Sequence, residues 1–256
     1  MSTSFGNAIR LERSHHVKAL LRQRCDPNAD GEQLFELPLQ QAAASEHGTA
    51  LDIVKMLLAA HASVNATGAC GARKSPLALA ARNGHEQIVA HLLASGADVH
   101  ADDTSCNQPL HEAAASGSVA ACRLLIEHGA DVNAVGHQGT PLMVAASSSR
   151  SNTIYELAGR GANLEATTPD AWRWTPLHTA VVNDRFSAVK ALLECHAKVD
   201  SVAGDGSTPL HIAAALSRTR IAAFLIQHGA DKYARAVRSI ERERERPRVL
   251  TCRLQP

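Results

Sequence analysis

One short pattern returns along the whole chain. Pro38, Pro76, Pro109, Pro141, Pro176 and Pro209, each followed by leucine, are separated by 38, 33, 32, 35 and 33 residues. A repeat of this length rules out a single central core, because each unit can bury its apolar face only against the units beside it. The chain is therefore expected to be a solenoid that grows by stacking, although 256 residues would otherwise suggest one or two globular domains. Aromatic residues make up only 3% of the sequence. The strip-shaped core must then come from Ala, Leu, Val and Ile, which are small enough for helix layers to approach closely.

The segment Ser75 to Ala101 shows how a unit is built. A Ser or Thr stands where it can cap a helix, its hydroxyl accepting a backbone N–H, and proline follows at the first helical position, where its missing donor costs nothing. An alanine-rich first helix, a Gly or polar turn, and a second helix with an I-V-x-x-L-L stripe come next. Gly96, Gly129, Gly161 and Gly229 suit the left-handed C-cap conformation. Arg24, His61 and His196 stand at that place in other units, at a cost of roughly 1 kcal/mol each.

Two units match T-P-L-H outright, Thr175-Pro176-Leu177-His178 and Thr208-Pro209-Leu210-His211, and Pro109-Leu110-His111 matches three of the four letters. On these residues the chain resembles the ankyrin repeat family. The resemblance implies an all-α solenoid of about seven helix-turn-helix units joined by β-hairpin-like fingers. Its units would cover about residues 4–28, 37–66, 75–101, 108–134, 140–166, 175–201 and 208–234. The first unit lacks the motif, but Phe5, Ala8, Ile9, Val17, Leu20 and Leu21 hold its apolar positions, a degeneracy expected of a terminal repeat. The second unit carries three extra residues, placed near Ser45 to Ala50 in its inter-helix turn. The fingers from Asn65 to Pro76 and from Glu165 to Pro176 are each two residues longer than the one from His100 to Pro109. Residues 235–256 form a basic tail, net +4 from seven Arg and three Glu, and 235–246 are expected to add a capping helix.

Chemistry finds little support. The net charge of +1 offers no general attraction to nucleic acid or membrane, and no apolar run of 18 residues occurs. Six cysteines show no CxxC pair and no zinc spacing, so reduced thiols in the cytoplasm or nucleus are expected. The resemblance makes His111, His178 and His211 structural, bridging neighbouring turns by hydrogen bonds. His15 and His16 are adjacent on a helix and diverge by about 100°, which suits no single metal ion. No dinucleotide fingerprint, P-loop or nucleophile elbow is present. No catalytic residue, metal or cofactor is expected, and no small-molecule substrate.

The resemblance implies protein-protein recognition, as adaptor or scaffold, by a monomeric array whose ligand lies along the fingers and first helices. The longest finger, Thr167 to Trp174, holds both tryptophans of the chain around Arg173. Trp and Arg are the types most enriched at binding hot spots. Trp174 directly precedes T-P-L-H and is expected to pack on its own finger; Trp172 is the sharper candidate. Asn183, Asp184 and Arg185 are expected to border the site, with Arg73 and Lys74 making the second finger basic and Asp102 and Asp103 making the third acidic. Leu125 followed after five residues by Asp131-Val132-Asn133 looks like the pattern favoured by the asparaginyl hydroxylase of ankyrin fingers, with Asn133 the modified residue. Arg248 to Leu254 bears a faint likeness to a SOCS-box segment. The other readings are direct inhibition of a kinase, phosphatase or transcription factor, and substrate recognition for a ubiquitin ligase. Nucleic-acid binding would need the tail, whose interleaved glutamates weaken it.

Overall fold

The computed structural model describes residues 5–11, 13–29, 37–46, 48–67 and 73–234. Among these the chain forms fourteen helices and no strand. It divides into two compact blocks, residues 1–131 and 132–256. The expected capping helix at 235–246 and the segment from Arg248 lie outside the described residues.

The N-terminal block holds four helix pairs: α1 (Phe5–Arg10) with α2 (Ser14–Arg22), α3 (Pro38–Ala44) with α4 (Ala50–Ala59), α5 (Pro76–Arg82) with α6 (Glu86–Ala94), and α7 (Pro109–Ser116) with α8 (Val119–Glu127). The C-terminal block holds three: α9 (Pro141–Ser147) with α10 (Ser151–Gly159), α11 (Pro176–Val182) with α12 (Phe186–Glu194), and α13 (Pro209–Ala215) with α14 (Thr219–Gln227). From α3 onward every first helix begins at its proline.

Each helix presents one apolar stripe to its neighbours. First helices bury Leu followed by Ala three residues on, as in Leu77 and Ala80 or Leu110 and Ala113; second helices bury Val89 and Leu92, Ile154 and Leu157, Val189 and Leu192. The i, i+3 spacing sets both residues on the same side of a helix. Full burial of each leucine contributes about 1.5–3 kcal/mol. The inserted residues of the second repeat lengthen the α3–α4 turn to five residues, 45–49, against three, 83–85, between α5 and α6. One further residue extends α4, which has ten residues where α6 has nine.

The left-handed positions fall where the sequence requires them. Gly96, Gly129, Gly161 and Gly229 have φ between 84° and 94°, and Arg24, His61 and His196 adopt 59°, 64° and 68° in their place.

Helix capping adds the motif histidine to the expected Thr cap. Ser75 and Ser118 do accept backbone N–H groups, from Ala78 and Ala121 at 3.2 Å each. At Thr175 and Thr208 the cap becomes a reciprocal box with the motif histidine. The Thr175 hydroxyl lies 2.8 Å from His178 Nδ1, and the Thr175 N–H donates to the same nitrogen at 3.2 Å. Because Nδ1 accepts, Nε2 carries the proton, and it donates to the Ser207 carbonyl of the next finger at 3.2 Å. Burial of the ring lowers its pKa from 6.5 to about 4, the Ser207 bond opposing that shift, so the imidazole is neutral near pH 7. His211 repeats the arrangement, reaching the Ala234 carbonyl at 3.0 Å.

Gln40 imitates the histidine. Its Oε1 accepts the Leu37 N–H at 2.9 Å and its Nε2 donates to the Lys74 carbonyl at 2.6 Å. In the repeat of α9 the histidine place holds Met143, which is fully buried, and the Thr140 hydroxyl is left buried without a partner.

A second ladder ties the repeat ends together. Side-chain acceptors take the backbone N–H of the next repeat: Asn28 from Ser63 at 2.7 Å, Asn65 from Asp98 at 2.9 Å, Asn133 from Asn163 at 2.8 Å and Glu165 from Lys198 at 2.8 Å. Fingers are thus positioned by bonds to the backbone, which leaves most of their tip side chains free to vary.

Candidate recognition surface

The finger between Glu165 and Pro176 is built around one carboxylate. Asp170 Oδ1 accepts the Thr168 hydroxyl at 2.6 Å, the Trp172 N–H at 3.1 Å and the Arg173 N–H at 3.2 Å. The Thr168 N–H donates to the Trp174 carbonyl at 2.9 Å, closing the hairpin, and the Trp174 N–H donates to the Thr168 hydroxyl at 2.9 Å. This turn holds Arg173 at φ 47°, in the left-handed region that a side chain adopts at a cost. The two indoles face each other with ring centroids 5.7 Å apart and a tilt of 34°. Trp174 is half-buried, as expected of the residue nearest the helix, whereas Trp172 leaves 52% of its surface in water. Among the described residues Arg173 has no ion-pair partner, so an exposed cation lies between the two tryptophans in sequence.

Asn183, Asp184 and Arg185 are not beside this finger. They occupy the turn after α11, at the far end of a seven-residue helix about 10 Å long. Each is already engaged: Asn183 donates to the Thr179 carbonyl at 2.9 Å, Asp184 pairs with Arg218 at 3.1 Å, and Arg185 Nε donates to the Ser147 carbonyl at 2.8 Å. The contacts of Asp184 and Arg185 tie this turn to the neighbouring repeats.

One charge cluster of the N-terminal block turns inward. Lys74 forms an ion pair with Glu112 and lies 3.6 Å from Asp103 Oδ2, with side-chain exposures of 13% for the lysine and 4% for Asp103. Arg82 approaches the other Glu112 oxygen at 3.9 Å. The expected opposition of a basic second finger and an acidic third finger is therefore satisfied within the protein. Only Arg73 and Asp102 of that group remain exposed. Glu112, fourth in the P-L-H-E run, is the partner that the sequence leaves unannounced; a charged residue beside a run of alanines on a first helix is its one signal.

The C-terminal block also exposes apolar residues in its other fingers. Val135, Val202 and Tyr233 leave 59%, 61% and 85% of their surfaces exposed. In the N-terminal block the only large apolar side chain so exposed, among the described residues, is Leu11, in the first repeat.

Asn133 is half-buried and bonded through Oδ1 to the next repeat, which gives it a structural role. Among the described residues no three His, Cys, Asp or Glu side chains converge on a place for a metal ion, and no helix is long and apolar enough to cross a membrane.

Helix pairs that begin at proline, cap through histidine and close on left-handed glycine are the architecture of ankyrin repeats, and the comparisons agree. The family model for ankyrin repeats (3 copies) matches residues 5–103, 77–168 and 142–236. The chain belongs to the ankyrin repeat family. It is 31% identical to the ankyrin repeat and KH domain-containing protein mask-1 of Caenorhabditis elegans over 195 residues, covering 76% of this chain and 7% of that protein. It is 34% identical over 193 residues to the nuclear factor NF-kappa-B p105 subunit of Gallus gallus, covering 71% of this chain and 19% of that one. The crystal structure of the human ASB11 ankyrin repeat domain superposes with a TM-score of 0.69 at 32% identity, covering 78% of this chain and 86% of that chain. The chain thus spans less than a fifth of the length of these two curated relatives.

Proposed function

We propose that this chain is a non-catalytic protein-recognition module, an adaptor or scaffold working in the cytoplasm or nucleus, which holds another protein against the fingers of its C-terminal block. The observation that carries this reading is the long finger. Trp172 is held by its turn in an exposed position beside Arg173, which has no ion-pair partner among the described residues. An ordered indole exposed to water is a cost that binding removes, and an aromatic-arginine pair is a frequent centre of binding energy. Because stacking has already ordered the finger, little conformational entropy remains to be lost when a partner docks.

The test is quantitative affinity capture from lysate with wild type and a Trp172→Ala/Arg173→Ala variant of equal circular dichroism. Proteins retained by wild type and lost by the variant would support the site. Equal retention by both would exclude the long finger as the recognition surface. Asn133 is proposed as a secondary modification site, and an intact mass unchanged by hydroxylase exposure would remove it.

A further inference from the structure

The long finger does not stand alone. Its tip leans on the finger that follows, where the Gly204 N–H donates to the Trp172 carbonyl at 2.7 Å. A Cβ on Gly204 would lie 2.4 Å from the Ala171 carbonyl oxygen and 3.1 Å from that of Trp172. The first distance is closer than carbon and oxygen can approach, and the atoms met are backbone, which has no rotamer by which to yield. Gly204 is absent from the left-handed glycines, so its missing side chain serves close approach and not an unusual φ.

We infer that Gly204 is the positioning residue of the recognition surface, the point that locks the Trp172-bearing tip against its neighbour. Trp172 and Arg173 are then presented together with Val202, two residues before Gly204, as one composite surface. Ties at the base of the fingers are separate. Thr175 meets Ser201 at 3.2 Å, and His178 donates to Ser207 at 3.2 Å. These hold the helices in register without fixing the tip. Losing the tip contact therefore releases the Trp172-bearing tip from the next finger while leaving the repeat stack intact. The functional part of this inference rests on the long finger being the recognition site.

The test uses the full chain without a partner. Trypsin cleavage after Arg173, resolved by mass spectrometry, is compared in wild type, Gly204→Ala and the neighbouring control Val202→Ala. Cleavage after Arg173 is expected to rise about tenfold in Gly204→Ala, because the protease reads the population of the released finger, with helix content and Tm unchanged. An unchanged rate, or an equal rise in Val202→Ala, would overturn the inference. Should Gly204→Ala lose helix, amide exchange in wild type decides: a protected Gly204 N–H supports the lock, and exchange at the rate of a free loop refutes it. If the lock is found while Trp172→Ala/Arg173→Ala still retains its partners, Gly204 positions the tip and the recognition reading alone fails.

Discussion

Two fingers, one in each block, use the same turn chemistry to different ends. In the N-terminal block Asp103 Oδ1 accepts the N–H groups of Ser105 at 2.8 Å and Asn107 at 2.9 Å; in the C-terminal block Asp170 Oδ1 does the same for Trp172 and Arg173. The other Asp103 oxygen faces Lys74, so the charge of Asp103 is satisfied inside the protein. The later finger carries two indoles and an arginine that pairs with nothing described. The turn is thus a frame indifferent to its cargo, and function resides in the side chains that framing leaves over.

The comparison can be broken most severely at Lys74. Lys74→Met leaves Asp103 without its cation and Glu112 with only the more distant Arg82 in a mostly buried site, and should lower stability by about 3 kcal/mol, read as a fall in the urea midpoint. Arg173→Met, at an exposed cation, should change it by less than about 0.5 kcal/mol. Equal effects would mean that the two fingers do not differ as described.

Acid should act next most strongly. His178 is neutral when folded down to about pH 4 but titrates near 6.5 when unfolded, so between these values the unfolded chain binds more protons. Its contribution is constant above pH 6.5 and is lost progressively as pH falls toward 4, up to about 3 kcal/mol. The difference between wild type and His178→Gln isolates this group. Gln40 already makes the equivalent bonds, so His178→Gln should fold with a loss of about 1 kcal/mol at pH 7 and a shallower acid slope. Parallel pH profiles would refute the assignment.

Weaker than either is Trp172→Ala in the long finger. Because half of the indole is already in water, its removal should cost about 1 kcal/mol or less, and circular dichroism should not change. A large loss would make Trp172 a structural residue like Trp174.

The sequence makes the framework legible because the framework is local. Proline at a helix start, glycine or a substitute at a left-handed cap, and leucine at helical spacing each act within a few residues. The motif histidines were legible through resemblance, and their bonds to Ser207 and Ala234 are present. Gln40 was not legible as a histidine substitute, since only geometry shows that an amide can accept and donate across the same gap. The Lys74, Asp103 and Glu112 cluster joins residues 29 to 38 positions apart through side-chain conformations that no spacing rule fixes. Arg73, Lys74, Asp102 and Asp103 therefore read as two opposed surfaces when half of them are mutual partners. Gly204 lay among ordinary turn residues, and its role depends on the path of a neighbouring finger.

The most direct measurement is amide hydrogen exchange of the full chain with and without a partner recovered by the wild-type capture. The account predicts new protection in residues 167–174 and 201–206, with residues 102–107 unchanged. Protection confined to residues 102–107, or absent from the long finger, would contradict the assignment of recognition to the C-terminal block.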